Sequence, residues 1–347
     1  MLEELSLGRL LDGRLDARMV SSIEFLILFL LMMFLMNALE LSGLLNSLGG
    51  RIVNRSGSER KLALFLCLLV FFASALLTND VVLLGIVPLT IAVGAAAQVD
   101  VRRLAVFEGI AANSGSLLTP FGNPQNIFIA VHYDVALADF VWTMLPLWLI
   151  SLGLLAAVVH FQFGERAVSH LHKKDSDRKV AALGVAALAV IILYFGRVLP
   201  TVVVAPLVLG LLLATRRMGS VLGLVDWKLY ALFVFMAFAT YAMLRVYKLE
   251  LSGAGLLLGS IGLSQLASNV PAAFILSGAA DWRILAIGVD IGGSGTLISS
   301  VATVIAYRFI KRHDPKASVW DFMKWGALFC LAQLALMLPV LLWLGWL

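Results

Sequence analysis

Asparagine interrupts two long apolar runs, at Asn79 in one half of the chain and at Asn269 in the other. Its polar neighbours are Thr78 and Asp80 in the first run and Ser268 in the second. An amide has one acceptor oxygen and two donor hydrogens, so it can ligate a cation such as Na+ through oxygen or donate to a carboxylate through nitrogen. Such side chains inside apolar runs predict a binding site for an ion or a small polar solute.

Each interruption is followed by a stretch rich in glycine and hydroxyl residues, at Asn113–Asn126 and at residues 290–303. Irregular backbone survives at membrane depth only where it lines a cavity or is buried in protein, because hydrocarbon cannot bond a freed N–H or C=O. Two related interruptions, one in each half, therefore indicate one site shared between two repeats. The alternative is that these Ser, Thr and Asn side chains only join helices within the bundle.

Two carboxylates accompany the polar stretches, Asp80 at the first interruption and Asp290 at the start of the second glycine-rich stretch. An acidic group within a membrane is costly and is usually functional. It could ligate Na+ or carry a coupling proton, or it could cap a helix N-terminus. Glu40 and Glu108 are further candidates, near the predicted ends of spans.

The composition is that of a polytopic membrane protein. Of the 347 residues, 61% are hydrophobic and 14% are charged, against about a quarter charged in soluble domains. The basic excess lies in short loops, which argues against nucleic-acid binding. Neither cysteine, Cys67 or Cys330, has a neighbouring metal ligand or disulfide partner in the pattern. No Gly-Lys-Ser/Thr sequence follows the glycine-rich stretches, so nucleotide binding is not expected.

The apolar segments divide into continuous spans and interrupted pairs. A charged amphipathic segment at residues 1–20 leads into the first span. Runs of about 20 apolar residues can cross the hydrocarbon, and full crossings are predicted at 21–48, 139–163, 179–198, 201–215, 228–248 and 321–346.

The interrupted segments predict two re-entrant helical hairpins and two broken transmembrane helices. The hairpins span residues 60–97, with a tip at 78–80, and 251–280, with a tip at 268–269. The broken helices span residues 103–133 and 284–308. The fold is thus predicted to be all-α with inverted repeats, one at 21–163 and one at 179–347, joined by a cytoplasmic linker at 164–178.

Charge supports the inversion, since this arrangement puts most of the 26 basic residues on one side, as expected of cytoplasmic loops. The first hairpin then opens from the cytoplasm and the second from outside. Charge alone leaves open a true double crossing in place of either hairpin. The first half lacks counterparts of the spans at 179–215, either because the protein is short there or because the chain starts late.

The chain resembles the ion transporter superfamily, and within it the citrate-transporter-like and arsenite-pump-like bacterial inner-membrane proteins. The resemblance lies in Leu77–Val81 with Val87–Thr90, in Asn113–Asn126, and in Gly262–Pro271. It implies a homodimer that works by elevator-like alternating access, with Na+ and the substrate held at the hairpin tips and the broken helices. It implies a cation-side cluster of Thr78, Asn79, Thr119, Pro120 and Gly122, and an inverted partner cluster of Ser268, Asn269, Gly292, Gly293 and Thr296.

The chain departs from the pattern of dicarboxylate relatives in two respects. The second break starts with Asp290 where such relatives usually have an amide, and neither tip has the Ser-Asn-Thr sequence that they favour. Here the third tip residue is Asp80 in one half and Val270 in the other. An ionised acid repels an anion, so the first tip suits a cation or a proton better than a carboxylate.

The sequence therefore predicts a secondary active transporter of a small anion, such as a di- or tricarboxylate, coupled to Na+ or H+. The candidate substrate-binding residues are Asn79, Asn269, Ser268, Asn123, Ser294 and Thr296. The candidate coupling-ion residues are Thr78, Asp80, Asn113, Thr119, Gly122, Asp290, Gly292 and Gly293, with Na+ placed among Thr78, Asn79, Asp80, Ser268 and Asn269.

The alternatives within transport are efflux of arsenite or antimonite and Na+/H+ antiport. An intramembrane enzyme with Asp80 and Asp290 as an aspartyl pair is a further alternative, although neither residue sits in a GxGD-like sequence. A scaffold or receptor that transports nothing is another, and the intact polar tips argue against it.

Overall fold

The computed structural model describes residues 17–44, 47, 56–97, 99–166, 176–246, 251–279 and 281–347. Regular structure in these ranges is helical, as predicted. Most of the predicted lead-in at 1–20 and of the linker at 164–178 lies outside them. The helices of the first half are α1 Ala17–Ser42, α2 Glu59–Ser74, α3 Asn79–Ala97, α4 Val101–Ser116, α5 Pro124–His132 and α6 Leu137–Gln162.

The second half begins with α7 Arg178–Phe195, α8 Thr201–Ala214 and the short α9 Met218–Gly223, which the sequence did not predict. The remaining helices are α10 Trp227–Val246, α11 Gly253–Ala267, α12 Asn269–Leu276, α13 Trp282–Gly293, α14 Val301–His313 and α15 Val319–Trp343.

Length and apolar composition together identify candidate membrane spans among the described helices. Four of the described helical segments are long and apolar enough to cross a membrane, namely Met19–Ser42, Leu137–Gln162, Arg178–Phe195 and Val319–Trp343. The predicted full crossing at 201–215 is α8, a shorter apolar helix of 14 residues. At 1.5 Å per residue it is about 21 Å long, less than the ~30 Å hydrocarbon core.

Side-chain caps fix where several helices begin. Ser58 accepts a hydrogen bond from the backbone N–H of Lys61 at the start of α2, and Asp100 accepts one from Arg103 at the start of α4. Asn123 caps α5, whose first residue is Pro124. Such caps satisfy backbone donors that have no partner within the helix, so the helix starts are set locally by sequence.

The first predicted hairpin is the helix pair α2 and α3, but the break between them lies earlier than predicted. Residues 75–78 separate the two helices, and Asn79 and Asp80 belong to the first turn of α3. Asn79 can begin the helix because its backbone N–H donates to the Gly122 carbonyl at 3.1 Å and so has a partner outside the helix. The tip amide is thus the first helical residue.

The second pair, α11 and α12, is separated by Ser268 alone. Ser268 has a φ of 75°, in the left-handed region that few non-glycine residues adopt. Asn269 is the first residue of α12, which matches the place of Asn79 in α3. The predicted tip at 268–269 is therefore one residue too long.

The two predicted broken helices are also broken here. Residues 117–123 separate α4 from α5, and residues 294–300 separate α13 from α14, so the two breaks have the same length. Helix α2 packs on α4 and α11 packs on α13. A Cβ atom added to Gly115 would lie 1.9 Å from the Phe71 carbonyl oxygen, so the first of these contacts requires glycine.

Contacts also connect the two halves. Helix α14 packs on α3 and α4, and α5 packs on α12 and α13. Phe128 of α5 stacks on Phe274 of α12 with ring centroids 3.8 Å apart, and Phe25 of α1 meets both rings edge to face. The hairpins and the broken helices thus form one packed unit, which brings the polar breaks together.

Candidate functional site

The two tip asparagines are bonded in the same way. The backbone N–H of Asn79 donates to the Gly122 carbonyl at 3.1 Å, and that of Asn269 donates to the Ser299 carbonyl at 2.9 Å. Gly122 and Ser299 each lie two residues before the helix that follows the break. Each hairpin tip is therefore attached to the break of its own half at a matching position.

Threonine hydroxyls make a second matching pair of contacts. Thr119 donates to the carbonyl of Ala75 at 2.7 Å, and Thr296 donates to the carbonyl of Gln265 at 3.4 Å. Both acceptors lie at the end of the first hairpin helix, four residues before the tip asparagine. These hydroxyls satisfy carbonyls that the hairpin turn frees.

Asn113 connects the first half to the second. Its Oδ1 accepts from the Asn79 amide at 3.1 Å and from the Ser300 hydroxyl at 2.8 Å. Its Nδ2 donates to the Gly293 carbonyl at 3.2 Å and to the Thr303 hydroxyl at 2.9 Å. All the hydrogen-bonding groups of this buried amide have partners, so Asn113 holds α4 against the second break.

Asp290 holds the position in α13 that Asn113 holds in α4, three residues before the helix end. Its Oδ1 accepts from Gln125 Nε2 at 2.9 Å and from Asn123 Nδ2 at 3.3 Å. The orientation of the Asn123 amide follows from its bond to the Asn126 N–H, which requires the oxygen. The second carboxylate oxygen, Oδ2, is buried and has no hydrogen-bond partner among the described residues.

The two broken helices therefore contact each other crosswise. Asn113 of α4 binds Ser300, the residue that precedes α14, and Asp290 of α13 binds Asn123, the residue that precedes α5. Matching positions in the two halves thus hold an amide, Asn113, and a carboxylate, Asp290.

The second tip has additional contacts through Gln265. Its Nε2 donates to the Gly292 carbonyl at 2.7 Å, and its Oε1 accepts from the Thr296 N–H at 2.8 Å. A Cβ atom on Gly293 would lie 2.5 Å from Asn269 Nδ2. Glycine at this position thus lets the Asn269 amide approach the backbone of the break.

Both tip asparagines line the same small cavity. Its volume is about 10 Å³, and it is bounded by Asn79, Asp80, Gln125, Asn269 and Ser300 together with five other residues. That is about the smallest space that holds one water molecule. Polar groups from the two halves thus meet at one point.

A larger cavity of about 470 Å³ adjoins the small one, and Asp80, Pro124, Leu229 and Val301 line both. Thr78 also lines the larger cavity. Pockets for small ligands have volumes of about 300–1,000 Å³, so this space can admit a small solute to the tips.

Comparisons with known proteins identify the family of this chain. A model of the citrate transporter family matches residues 15–282. The chain belongs to the citrate transporter family. Its family resemblance, expected from the sequence motifs, is confirmed.

Relatives of this citrate transporter family member are named as membrane proteins or transporters. Inner membrane protein YbiR of Escherichia coli is 35% identical over 291 residues, which cover 80% of this chain and 77% of YbiR. An uncharacterised transporter of Methanocaldococcus jannaschii is 29% identical over 286 residues, which cover 80% of this chain and 78% of that protein. The silicon efflux transporter LSI3 of rice, Oryza sativa subsp. japonica, is 31% identical over 116 residues, which cover 33% of this chain and 24% of that protein.

This citrate transporter family member is a multi-pass membrane transporter of the inner membrane, as the sequence predicted. The family and the names of the relatives indicate a transporter and not an enzyme. A substrate and a lipid environment are therefore part of its function.

The predicted site residues of this family member fall into two groups. Four line the cavities, namely Asn79, Asn269, Asp80 and Thr78. The others are not among the residues that line the cavities, namely Asn113, Thr119, Gly122, Asn123, Ser268, Asp290, Gly292, Gly293, Ser294 and Thr296. Those whose hydrogen bonds are described above connect a hairpin to its break or one break to the other. Ser268 donates to the Ser299 carbonyl at 3.3 Å, whereas the buried Ser294 hydroxyl has no partner in the part of the chain that the structure describes.

Glu108 lies elsewhere than expected. The sequence placed it near a span end, but it lies in the middle of α4 and is fully buried. The Thr90 hydroxyl donates to the Oε1 atom of Glu108 at 2.5 Å, and no described residue bonds its Oε2 atom. It is not among the residues that line the two cavities.

Several polar residues of the site were not predicted. They include Gln125 and Gln265, whose amides bond across the breaks, and Ser300 and Thr303, which bond Asn113. One signal could have found Ser299 and Ser300, because they precede α14 as Gly122 and Asn123 precede α5. The glutamines carry no such signal, since neither has a polar counterpart at the matching place in the other half.

Proposed function

We propose that this protein is a secondary active transporter of a small anion, such as a di- or tricarboxylate, coupled to Na+ or H+. The supporting observation is the small cavity that Asn79 and Asn269 line together. Each tip is the N-terminus of a helix, where the helix dipole favours an anion and the asparagine amides can donate to it. A carboxylate group of the substrate would therefore bind between the two tips, with the rest of the solute in the larger cavity that adjoins them.

The coupling ion is proposed to bind at the first tip. Asp80 lines both cavities and makes no hydrogen bond through its carboxylate to the described residues, and Thr78 adds a hydroxyl to the wall of the larger cavity. Carboxylate and hydroxyl oxygens are ligands for hard cations, and a carboxylate can also take up a proton. The second tip has Val270 at the equivalent place, so the ion site would be asymmetric.

Alternating access would move the tip-bearing unit against the remaining helices, in an elevator-like motion within a homodimer. Matching contacts at the two breaks support the motion of this unit as one body, since each tip is bonded to its break and the two breaks are bonded to each other. The tips are reached through the larger cavity, which would be one of two alternating entrances.

Ligand-induced stabilisation of purified protein tests the substrate class. A ligand at about 100 times its Kd stabilises the native state by about 2.7 kcal/mol. The assay measures thermal unfolding with Na+, Li+, citrate, succinate, sulfate, arsenite or silicic acid, singly and in pairs. The proposal predicts a rise in Tm with a carboxylate that increases when Na+ is present or when the pH is lowered.

Other outcomes have distinct meanings. Stabilisation by Na+ and pH alone would favour Na+/H+ antiport over the proposal. No change with any ligand, together with no uptake into proteoliposomes, would contradict the proposed function.

Efflux of a neutral oxyacid such as arsenous or silicic acid is a second candidate. The observation in its favour is that no basic residue is among the described residues that line the small cavity, and one relative is named as a silicon efflux transporter. Stabilisation by arsenite or silicic acid, with no response to carboxylates, would support this candidate.

A further inference from the structure

One face of α14 forms a wall of the larger cavity from the tips to its outer end. Val301, Val304, Ile305 and Arg308 all line it, and residues three or four apart lie on the same side of a helix. Val301 also lines the small cavity between the tips. At 1.5 Å per residue, Arg308 lies about 10 Å further along the helix axis than Val301.

Arg308 is the one basic residue among the described residues that line either cavity. Its side chain is exposed and makes no ion pair or hydrogen bond with the described part of the chain. The acidic residues of the same cavity are Asp80, at the inner end, and Asp226, whose Oδ1 accepts from the Leu229 N–H at 2.9 Å. Asp226 thus acts as a helix cap, whereas the Arg308 guanidinium has five N–H donors available for a solute.

The neighbouring basic residues of α14 are placed differently. Lys311 donates to the Pro315 and Ala317 carbonyls at 2.7 and 3.0 Å. Neither Lys311 nor Arg312 is among the residues that line the cavity. Arg308 is therefore distinguished from them by its position, and Arg312 offers a matched control on the same helix.

We infer that Arg308 determines specificity for anionic solutes at the entrance of the larger cavity, through which they reach Asn79 and Asn269. This inference rests on the proposed function and narrows its substrate class to solutes that carry a carboxylate or another oxyanion. A guanidinium presents a planar fork of donors that matches a carboxylate. Asp80 and Asp226 oppose a free anion, so Arg308 supplies the attraction that lets an anion enter.

Because Arg308 is exposed, its attraction for an anion should show in the KM and in the dependence of the KM on solute charge and salt. A single charge at the mouth of a cleft raises the local concentration of an oppositely charged solute, and salt screens it over about 10 Å at 0.1 M. Removal of the charge should therefore raise KM and leave the maximal rate unchanged. The effect should be larger for a solute of higher charge and should shrink at high ionic strength.

Full-length protein in proteoliposomes tests the inference with citrate, succinate and arsenite as probes, arsenite being neutral at pH 7. The variants are Arg308→Gln, Arg308→Lys and the control Arg312→Gln. Arg308→Gln should raise the KM for citrate or succinate about fivefold at low salt, and Arg308→Lys should restore most of the affinity. Arsenite transport, where present, and the Arg312→Gln variant should be unaffected.

The inference and the proposed function can fail separately. An unchanged KM in Arg308→Gln, with anion uptake still abolished by Asn79→Ala or Asn269→Ala, would overturn the role of Arg308 alone. A lower maximal rate in both Arg308→Gln and Arg308→Lys, with KM unchanged, would indicate a structural role and would also overturn it. Wild-type protein that transports only arsenite, or none of the probes, would overturn the proposed function and the inference with it.

Discussion

The two tip regions have matching backbone contacts but different acidic groups. In the first, the carboxylate is Asp80, which lines both cavities, and the broken helix carries the amide of Asn113, which accepts a hydrogen bond from Asn79. In the second, the tip carries Val270 in place of an acid, and the carboxylate is Asp290, enclosed by the amides of Asn123 and Gln125. Each tip region thus has one carboxylate at its tip or its broken helix, and of these two only Asp80 lines the cavities.

This difference indicates that the two carboxylates have different roles, although the backbone contacts around them match. Asp290 accepts hydrogen bonds that fix the crossed broken helices, which is a positioning role. Asp80 has no such bonds among the described residues and faces the cavities. An acid that is accessible and not otherwise bonded is the better candidate for a coupling ion, so ion binding is proposed for the first tip only.

The largest expected effect concerns the glycines that let each hairpin approach its broken helix. A Cβ atom at Gly115 would lie 1.9 Å from the Phe71 carbonyl oxygen, a backbone atom, whereas one at Gly292 would lie 2.6 Å from the Ser264 side chain. Gly115→Ala should therefore prevent recovery of folded protein, and Gly292→Ala should cost about 1–3 kcal/mol. Yield on size-exclusion chromatography and thermal unfolding measure both.

Gly153→Ala is the matched control, because nothing lies within 4 Å of the added carbon. It should be neutral or slightly stabilising, since alanine has the higher helix propensity. Equal stability of the Gly115 and Gly292 variants would contradict the difference between the two contacts.

The next effect separates the two acids. Asp290→Asn can place its new amide in two orientations. In one, its NH2 group faces the donors Gln125 Nε2 and Asn123 Nδ2, so their hydrogen bonds are lost. In the other, its oxygen accepts from them, but the bonds are weaker because the charge is gone. A loss of about 1–3 kcal/mol of stability follows. Asp80→Asn should keep the stability within about 0.5 kcal/mol and should remove the dependence of uptake on a Na+ or proton gradient. Thermal unfolding and gradient-driven uptake measure the two effects.

The reverse pattern would refute this assignment of roles. If Asp80→Asn unfolded the protein and Asp290→Asn left it stable but uncoupled, the coupling site would belong to the second half.

The smallest effect concerns the two threonines. Thr119 donates to Ala75 at 2.7 Å, but Thr296 donates to Gln265 at the longer distance of 3.4 Å. Hydrogen bonds between membrane helices contribute about 0.6 kcal/mol on average and up to about 1.7. Thr119→Val should therefore cost about 1 kcal/mol, and Thr296→Val less than Thr119→Val. Denaturant unfolding of the two isosteric variants measures both losses of stability, and a larger loss for Thr296→Val would contradict the ranking.

The sequence predicted the elements better than the contacts. Long apolar runs identified the helices, and polar tips and glycine-rich stretches identified the four breaks. The first tip was misplaced by a few residues because the polar residues Asn79 and Asp80 form the first turn of α3 and not the connecting segment. The short helix α9 was missed because it has only six residues, two of them glycine, which is too short for a helical repeat to be recognised.

The pairing of side chains across the halves could not be predicted. Asn113 was expected at a coupling-ion site, but all its hydrogen-bonding groups bind protein partners. That outcome depends on which break packs on which helix, and sequence spacing does not contain it. The sequence did not single out Arg308, since its place on a cavity wall depends on the direction of α14.

Uptake by tip variants tests most directly the claim that both tips serve one site. Asn79→Ala and Asn269→Ala are compared in proteoliposomes with Gln333→Ala, which removes a buried amide that bonds Ser151 between α15 and α6. Each tip variant should abolish uptake with normal expression, while the control retains it. Unaltered transport in both tip variants would contradict a site shared by the two halves.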